Sequence, residues 1–253
     1  MFQSLIDRGF QVEFHAHAAA IIGTDFPEVV AELEPPLLEM SVPIAELIGG
    51  GGGEAKATQR LRHALKDMGW DKARFVVEKT INGIRRESTP HEMDHVRHYD
   101  RGMIALEIEW NNKDPFYDRD LENFKRLHAD GAISAGIIVT RGRGLQEALR
   151  GFVRGFVEWH GIDSIEQLAR WGYLPTARQR REIERRATRT QDFRAAFADM
   201  FTQDKFGEAT THWRKLEDRV HRGVGNPCPL LLIGLPADIV RTPEREDVTP
   251  PGT

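Results

Sequence analysis

The sequence has one cysteine, Cys228, in 253 residues. That excludes a disulfide framework and a zinc site built from several thiolates. It has no apolar run near the ~20 residues needed to span a bilayer, and no signal-peptide pattern at its N-terminus. These absences fit an intracellular soluble protein with no membrane partner. The five glycines Gly49 to Gly53 are not followed by Gly-Lys-Ser/Thr, so a Walker nucleotide site is absent. A linker is the preferred reading of that loop, with Lys56, Arg60 and Arg62 just beyond it open to a nucleic-acid backbone. There is no internal repeat.

What is present is enough chain for one large domain with a sizeable core. The formal net charge of −4 hides a segregation. Residues 1–54 carry nine acids against Arg8 alone, whereas residues 141–190 carry eleven arginines against six acids. Such asymmetry can set a basic face against a polyanion even in an acidic protein.

The most informative stretch is Met103-Ile104-Ala105-Leu106-Glu107-Ile108-Glu109-Trp110. In a strand its side chains alternate faces. Ile104, Leu106, Ile108 and Trp110 share a core face; Ala105, Glu107 and Glu109 share the other. The two carboxylates then lie roughly 6–7 Å apart at their Cα atoms. Like charges that close repel unless something positive sits between them, and a hard divalent cation such as Mg²⁺ is the natural occupant. The competing reading is a strand with a solvated acidic edge.

Upstream, Phe75–Ile81 reads as a strand. His91–Tyr99 reads as another, joined through the turn Asp100-Arg101-Gly102 to the glutamate strand as a hairpin. With the turn centred near Arg101, Asp94 and Glu107 become near neighbours across the ladder. Asp94 is therefore preferred as the third carboxylate, and Asp100 stays open as the alternative. His91, His95 and His98 suggest zinc at first sight, but no matching cysteine or distant histidine pair supports it.

The rest alternates helix and strand. A helix covers Glu54 to Met68, and another starts at Asp118 or Asp120 and ends at Gly131. Ala132–Thr140 is a strand buried on both faces. Gln146–His160, 177–190 and 191–222 are helical, Pro229–Gly234 is a further buried strand, and the tail from Thr242 reads as disordered. The first fifty residues show no clear periodic element before Val42. This interleaving gives an α/β class with a mixed central sheet flanked by helices. The expected organisation is a single domain over 1–241. It comprises an acidic part over 1–54, a core over about 75–142 and an arginine-rich helical part over 141–222. Residues 242–253 form the flexible tail.

The run Ala105 to Leu121, with Glu107-Ile108-Glu109-Trp110-Asn111-Asn112-Lys113-Asp114-Pro115 at its centre, resembles the BglII/BstYI-type restriction endonucleases of the PD-(D/E)XK superfamily. Ile137-Ile138-Val139-Thr140-Arg141 and His91-Glu92-Met93-Asp94 carry the same resemblance. It is strong over about residues 88–142 and weaker at the glycine loop and Leu231–Gly234. It implies a restriction-endonuclease-like core and a homodimeric, Mg²⁺-dependent enzyme of the bacterial or archaeal cytoplasm. Such an enzyme cuts both strands of a short palindrome in double-stranded DNA, leaving 5′-phosphate and 3′-hydroxyl ends. Carried over, Asp94 and Glu107 bind metal, and Glu109 takes the position that is lysine in the wider superfamily. Glu78 and Glu87 are candidates for a further upstream ligand. Lys113 is placed to reach a phosphate, Arg119 to contact DNA or support the site, and Arg178, Arg180, Arg181 and Arg185 to contact DNA. The rival readings are a non-specific or repair nuclease of the same superfamily and a catalytically degenerate DNA-binding protein.

Overall fold

Glu107 and Glu109 lie on a central strand of a six-stranded mixed sheet. The computed structural model describes residues 1–49 and 53–243, and describes Lys79 and residues 85–89 by backbone alone. The sheet is built from β1 (Gln11–His15), β3 (Asp71–Ile81), β4 (Ile84–Tyr99), β5 (Gly102–Glu109), β6 (Ala135–Arg141) and β7 (Leu230–Leu235). Its order is β1-β7-β6-β5-β4-β3. β5, β6 and β7 run parallel, while β1, β4 and β3 pair antiparallel to their neighbours. β2 (Val42–Pro43) and β8 (Val240–Arg241) form a separate parallel pair.

Helices cover both faces. On one side Ile104 and Leu106 of β5, and Trp110 just beyond it, join Ile137 and Val139 of β6 and Leu231, Ile233 and Leu235 of β7. They pack with α1 (Gln3–Asp7), α2 (Ala18–Asp25), α3 (Glu28–Leu38), α4 (Ile44–Gly49) and α5 (Lys56–Asp67). The same core takes residues of α7 (Arg143–Trp159), α8 (Ile165–Ala169), α9 (Ala177–Thr190) and α10 (Phe193–Phe206). On the other side Ala105, Ile138, Leu230 and Leu232 pack beneath α6 (Phe116–Ala129) and α11 (Trp213–His221). The period-2 alternation read from β5 is thus present, but its second face is roofed rather than open. α6 is the crossover that two adjacent parallel strands require. It closes tightly because β6 carries Gly136, where a Cβ atom would stand 2.5 Å from the Phe124 ring.

The first fifty residues correct the sequence reading, since α1, β1, α2 and α3 all precede Val42. Their signals are weak for physical reasons. β1 is five residues long and partly buried at every position, so it shows no alternation. α2 reads Ala-Ala-Ala-Ile-Ile-Gly-Thr-Asp, with little polar contrast, and α3 carries Pro35 and Pro36 in its last turn. The acidic segment is tied to the sheet through Glu32 of α3. That carboxylate accepts from Tyr99 Oη (2.7 Å), Trp70 Nε1 (3.0 Å) and both Nε and Nη2 of Arg97.

Elsewhere the differences are at boundaries. The strand expected from Phe75 starts at Asp71, its partner reaches back to Ile84, and α6 starts at Phe116. The helical stretch 191–222 splits into α10 and α11 around residues 207–212. Gly50–Gly52 and all but the first two residues of the tail, 244–253, lie outside the described residues. Among the described residues no helix is long and apolar enough to cross a membrane.

Candidate active site

Three buried carboxylates converge between β5 and α6. Glu107 and Glu109 point from the α6-covered face of β5 and are 3% and 2% exposed; Asp120 of α6 is 1% exposed. Asp120 sits on the helical face that also buries Tyr117, Leu121, Phe124 and Leu127. Those apolar neighbours hold the helix down and force the carboxylate against the strand, at a cost that must be compensated locally.

The compensation is partial. Arg119 donates from Nε to Asp120 Oδ1 (2.9 Å), its Nη2 lies 2.8 Å from the same oxygen, and that Nη2 reaches only to 3.9 Å from Glu109 Oε1. Asn112 Nδ2 donates to Glu109 Oε2 at 2.9 Å, and the Asp94 amide donates to Glu107 Oε1 at 3.2 Å. Asp120 Oδ2 has no N–H or hydroxyl donor among the described residues. Burial, then Asp120, push Glu109 up to about 8. Burial, then Asp120 and Asp94, push Glu107 well above the usual carboxylate range. Asp120 is itself raised by burial, with Arg119 the chief opposing influence. Glu109 and Asp120 are within hydrogen-bonding reach of one another, which two carboxyl groups satisfy only by sharing a proton.

Asp94 joins this group from the rim. The β4–β5 ladder pairs His95 with Leu106, so one further step sets Asp94 beside Glu107. The β3–β4 register shifts between Asp71/Val96 and Ala73/Met93, a bulge that places Asp94 and His95 opposite the single residue Lys72. Bulges re-aim side chains next to functional sites. Asp94 is exposed and has Lys72 Nζ at 3.8 Å. Asp100 instead occupies the exposed turn, five or more residues along the hairpin from Glu107, roughly 17 Å by strand rise. Glu78 pairs with Ser88 far out on the β3–β4 ribbon, away from β5. The Glu87 side chain lies outside the described residues.

No three His, Cys, Asp or Glu side chains among the described residues form a ready-made metal cage. The donor set nonetheless suits a hard divalent cation. It is all oxygen, it includes a buried carboxylate oxygen that receives no N–H or hydroxyl hydrogen bond among the described residues, and its three buried acids, Glu107, Glu109 and Asp120, are held above their usual range by burial and mutual repulsion. The three histidines do not converge. His91 Nδ1 lies 2.9 Å from Asn123 of α6, His95 Nδ1 lies 3.3 Å from the Leu106 carbonyl, and His98 is exposed.

A cleft of about 690 Å³ opens beside Asp94 and Asn112. Arg62, His63 and Lys66 of α5 and Lys72 of β3 line it together with the acids Glu54, Asp71 and Asp94, and Thr58 and His95 lie in its wall. Thr58 Oγ1 and His95 Nε2 are buried there without partners among the described residues. The arginine-rich α9 is elsewhere, against α10. Arg178 pairs with Asp204 (2.6 Å), Arg180 with Glu166 (2.7 Å), and Arg185 and Arg186 with Glu182 (2.8 and 2.6 Å). Arg181 is exposed and forms no salt bridge among the described residues. Lys113 is exposed and its backbone bridges to Thr210. Arg119, considered for DNA contact or for support, sits at the carboxylate cluster and stacks over Phe116 at 4.4 Å.

Asp120 is the site residue the sequence reading missed. Its signal was present: a carboxylate at helical spacing among Tyr117, Leu121, Phe124 and Leu127, on the side of an amphipathic helix that should be apolar.

The family profile described as Restriction endonuclease BglII/BglIII matches residues 10–235. The chain belongs to that family. The match covers nearly the whole chain, well beyond the 88–142 stretch that carries the resemblance in sequence. As a restriction endonuclease BglII/BglIII family member it is a hydrolase, a site-specific type II deoxyribonuclease that binds DNA. Its six-stranded mixed sheet with helices on both faces is consistent with a restriction-endonuclease fold. A search of curated proteins finds no match.

Proposed function

We infer that this endonuclease makes Mg²⁺-dependent double-strand cuts at a short palindromic site, acting as a homodimer in the cytoplasm, with residues 1–241 as one nuclease domain. The observation that supports this most is the burial of Glu107, Glu109 and Asp120 together, with Asp94 at the rim of a cleft that Arg62, Lys66 and Lys72 also line. Asp94 and Glu107 are the metal ligands in this reading. Mg²⁺ held there would supply positive charge to the phosphodiester and lower the pKa of the attacking water. Glu109, raised towards neutrality, is suited to accept a proton from that water. Arg119 holds the Asp120 carboxylate in place and lends positive charge to a crowded acidic pocket. Arg62, Lys66 and Lys72 meet DNA phosphates along the cleft, and Lys113 meets them beyond β5. A palindrome has a two-fold axis, which a two-fold dimer matches.

The test is incubation of long duplex DNA with the purified protein, with Mg²⁺ and with chelator. Discrete Mg²⁺-dependent fragments whose ends map to one palindrome are expected, and a smear or intact DNA contradicts the reading. Glu107→Ala should lower the cleavage rate by at least ~10³-fold, the scale of losing a principal electrostatic group, while DNA binding persists. Wild-type cutting by that variant would remove Glu107 from the site.

A further inference from the structure

Arg141, at the end of β6, is fully buried, yet no carboxylate pairs with it among the described residues. Burial pulls its guanidinium down to about 10, and its Nε and Nη1 have no partners among those residues. A buried cation without a counterion is strongly disfavoured, so what it does hold is informative. Arg141 Nη2 donates to Thr210 Oγ1 (2.7 Å) and to the Thr211 carbonyl (2.5 Å), both in the segment between α10 and α11. Its guanidinium also lies over the Phe206 ring at 4.9 Å.

That segment is laid against the chain leaving β5. The Thr211 amide donates to the Asn112 carbonyl (2.8 Å), the Asp114 amide donates to the Ala209 carbonyl (3.0 Å), and Lys113 and Thr210 form a β-bridge. Asn112 in turn donates its side-chain amide to Glu109 Oε2. The strand neighbour fixes Glu109 from behind, because Thr140, in register with it, donates from Oγ1 to the Glu109 carbonyl (2.8 Å). A continuous run of hydrogen bonds therefore leads from Arg141 through Thr211 and Asn112 to the Glu109 carboxylate.

We propose that Arg141 and Asn112 are positioning residues: Arg141 clamps residues 210–211 against the exit of β5 so that the Asn112 amide holds Glu109 in its working orientation. The proposal rests on the reading of Glu109 as the group that takes the proton. Arg141 is buried, and Asn112, although it borders the cleft, has its side-chain amide on Glu109, so removing them should slow the chemical step far more than it weakens binding.

The experiment compares Asn112→Ala, Arg141→Met, Arg141→Lys and the double variant Asn112→Ala/Arg141→Met in single-turnover cleavage. DNA affinity in chelator and thermal unfolding are measured in parallel. Each single removal should lower the cleavage rate by ~10–100-fold, with the dissociation constant within about threefold of wild type. The double variant should be little worse than Asn112→Ala alone, because the two act in series. Arg141→Lys should recover part of the rate, since a lysine can reach one of the two acceptors. If Arg141→Met does not fold, Thr210→Val takes its place, with a smaller loss that again disappears in the Asn112→Ala background. Multiplicative losses, a loss confined to affinity, or normal cutting by Asn112→Ala would overturn the proposal. Glu109→Gln separates the two readings. If it cuts normally, the role of Glu109 fails; if it is inactive while Asn112→Ala and Arg141→Met are normal, only the positioning role fails.

Discussion

Two basic regions of the protein invite the same functional reading and differ in what surrounds their charges. The α9 helix holds the densest run of arginines in the chain. However, Arg178, Arg180, Arg185 and Arg186 each lie against a carboxylate of α8, α9 or α10. The cleft beside the site carries fewer basic groups, Arg62, His63, Lys66 and Lys72. Lys66 there has no ion-pair partner among the described residues, but Arg62 pairs with Glu54 (3.2 Å) and Lys72 with Glu92 (2.5 Å), with Asp94 a further 3.8 Å contact of Lys72. Exposed pairs contribute only ~0–1 kcal/mol and can be exchanged for a phosphate, but their acids would remain beside the DNA and repel it. The cleft also carries Glu54, Asp71 and Asp94, so pairing alone does not separate the two regions. Position separates them, because the cleft meets Asp94 and Asn112 while the α9 surface meets no member of the carboxylate cluster.

The largest expected effect comes from emptying the cleft of charge. The triple variant Arg62→Ala/Lys66→Ala/Lys72→Ala should weaken DNA binding by ~10²-fold or more near physiological salt. The slope of log affinity against log salt should fall by roughly one for each phosphate that is no longer neutralised. Filter-binding or anisotropy titrations in chelator across a salt series measure both quantities. An unchanged slope would show that DNA follows another path, and the contrast between the two regions would collapse.

How much of this was legible follows from the range of each interaction. The two faces of β5 and the turn at Asp100-Arg101 were readable because alternation and turn chemistry are local. The placing of Asp94 beside Glu107 followed from the same counting. Asp120 was written in the helical spacing of residues 117–127, but it is recognised as a site residue only once α6 is known to roof the acidic face. The segment 207–212 was not legible. It sits inside a stretch whose composition reads as helix throughout, and its partners Asn112 and Arg141 are far away along the chain. The arginine-rich helix misled for the same reason, since Glu166 and Asp204 become its partners only when α8 and α10 fold against it.

The buried acids of the site and the exposed acids of α9 should also respond oppositely to pH. Glu109, raised to about 8 from an ordinary 4.5, binds a proton in the folded state that the unfolded chain has already released. Its contribution to stability is therefore full below about 4.5 and is lost as pH rises through about 8. In chelator, Glu109→Gln should match wild type near pH 5 and exceed it at pH 9. The expected margin is about 1–3 kcal/mol, or roughly 3–8 °C in Tm for a chain this size. Calorimetry at both values checks it; a margin independent of pH would mean that the buried acids are not the strained element. Glu182 on α9 behaves in the opposite sense. The side chains of Arg185 and Arg186 hold it down to about 2, so its contribution is present above the unfolded value of 4.5 and lost as pH falls towards about 2. It is a fully exposed group, and its replacement should leave Tm near neutrality almost unchanged.

The smallest effect is expected where the arginines are most numerous. Arg178→Ala and Arg180→Ala each delete one cation and free one carboxylate, whereas Arg185→Ala deletes one cation and leaves Glu182 paired with Arg186. In the cleft the same deletion removes positive charge from the DNA path; on α9 it changes a locally cancelled surface by one unit at a distance from the scissile phosphate. The salt slope should not move by a measurable fraction of a unit, and affinity should change by less than about threefold. Arg181, exposed and without a salt bridge among the described residues, is the informative exception. If α9 lies along the DNA, Arg181→Ala should stand apart from its paired neighbours and lower the slope by about one. If none of the four variants moves the slope, this helix lies outside the electrostatic footprint, and the cleft by α5 carries the DNA alone.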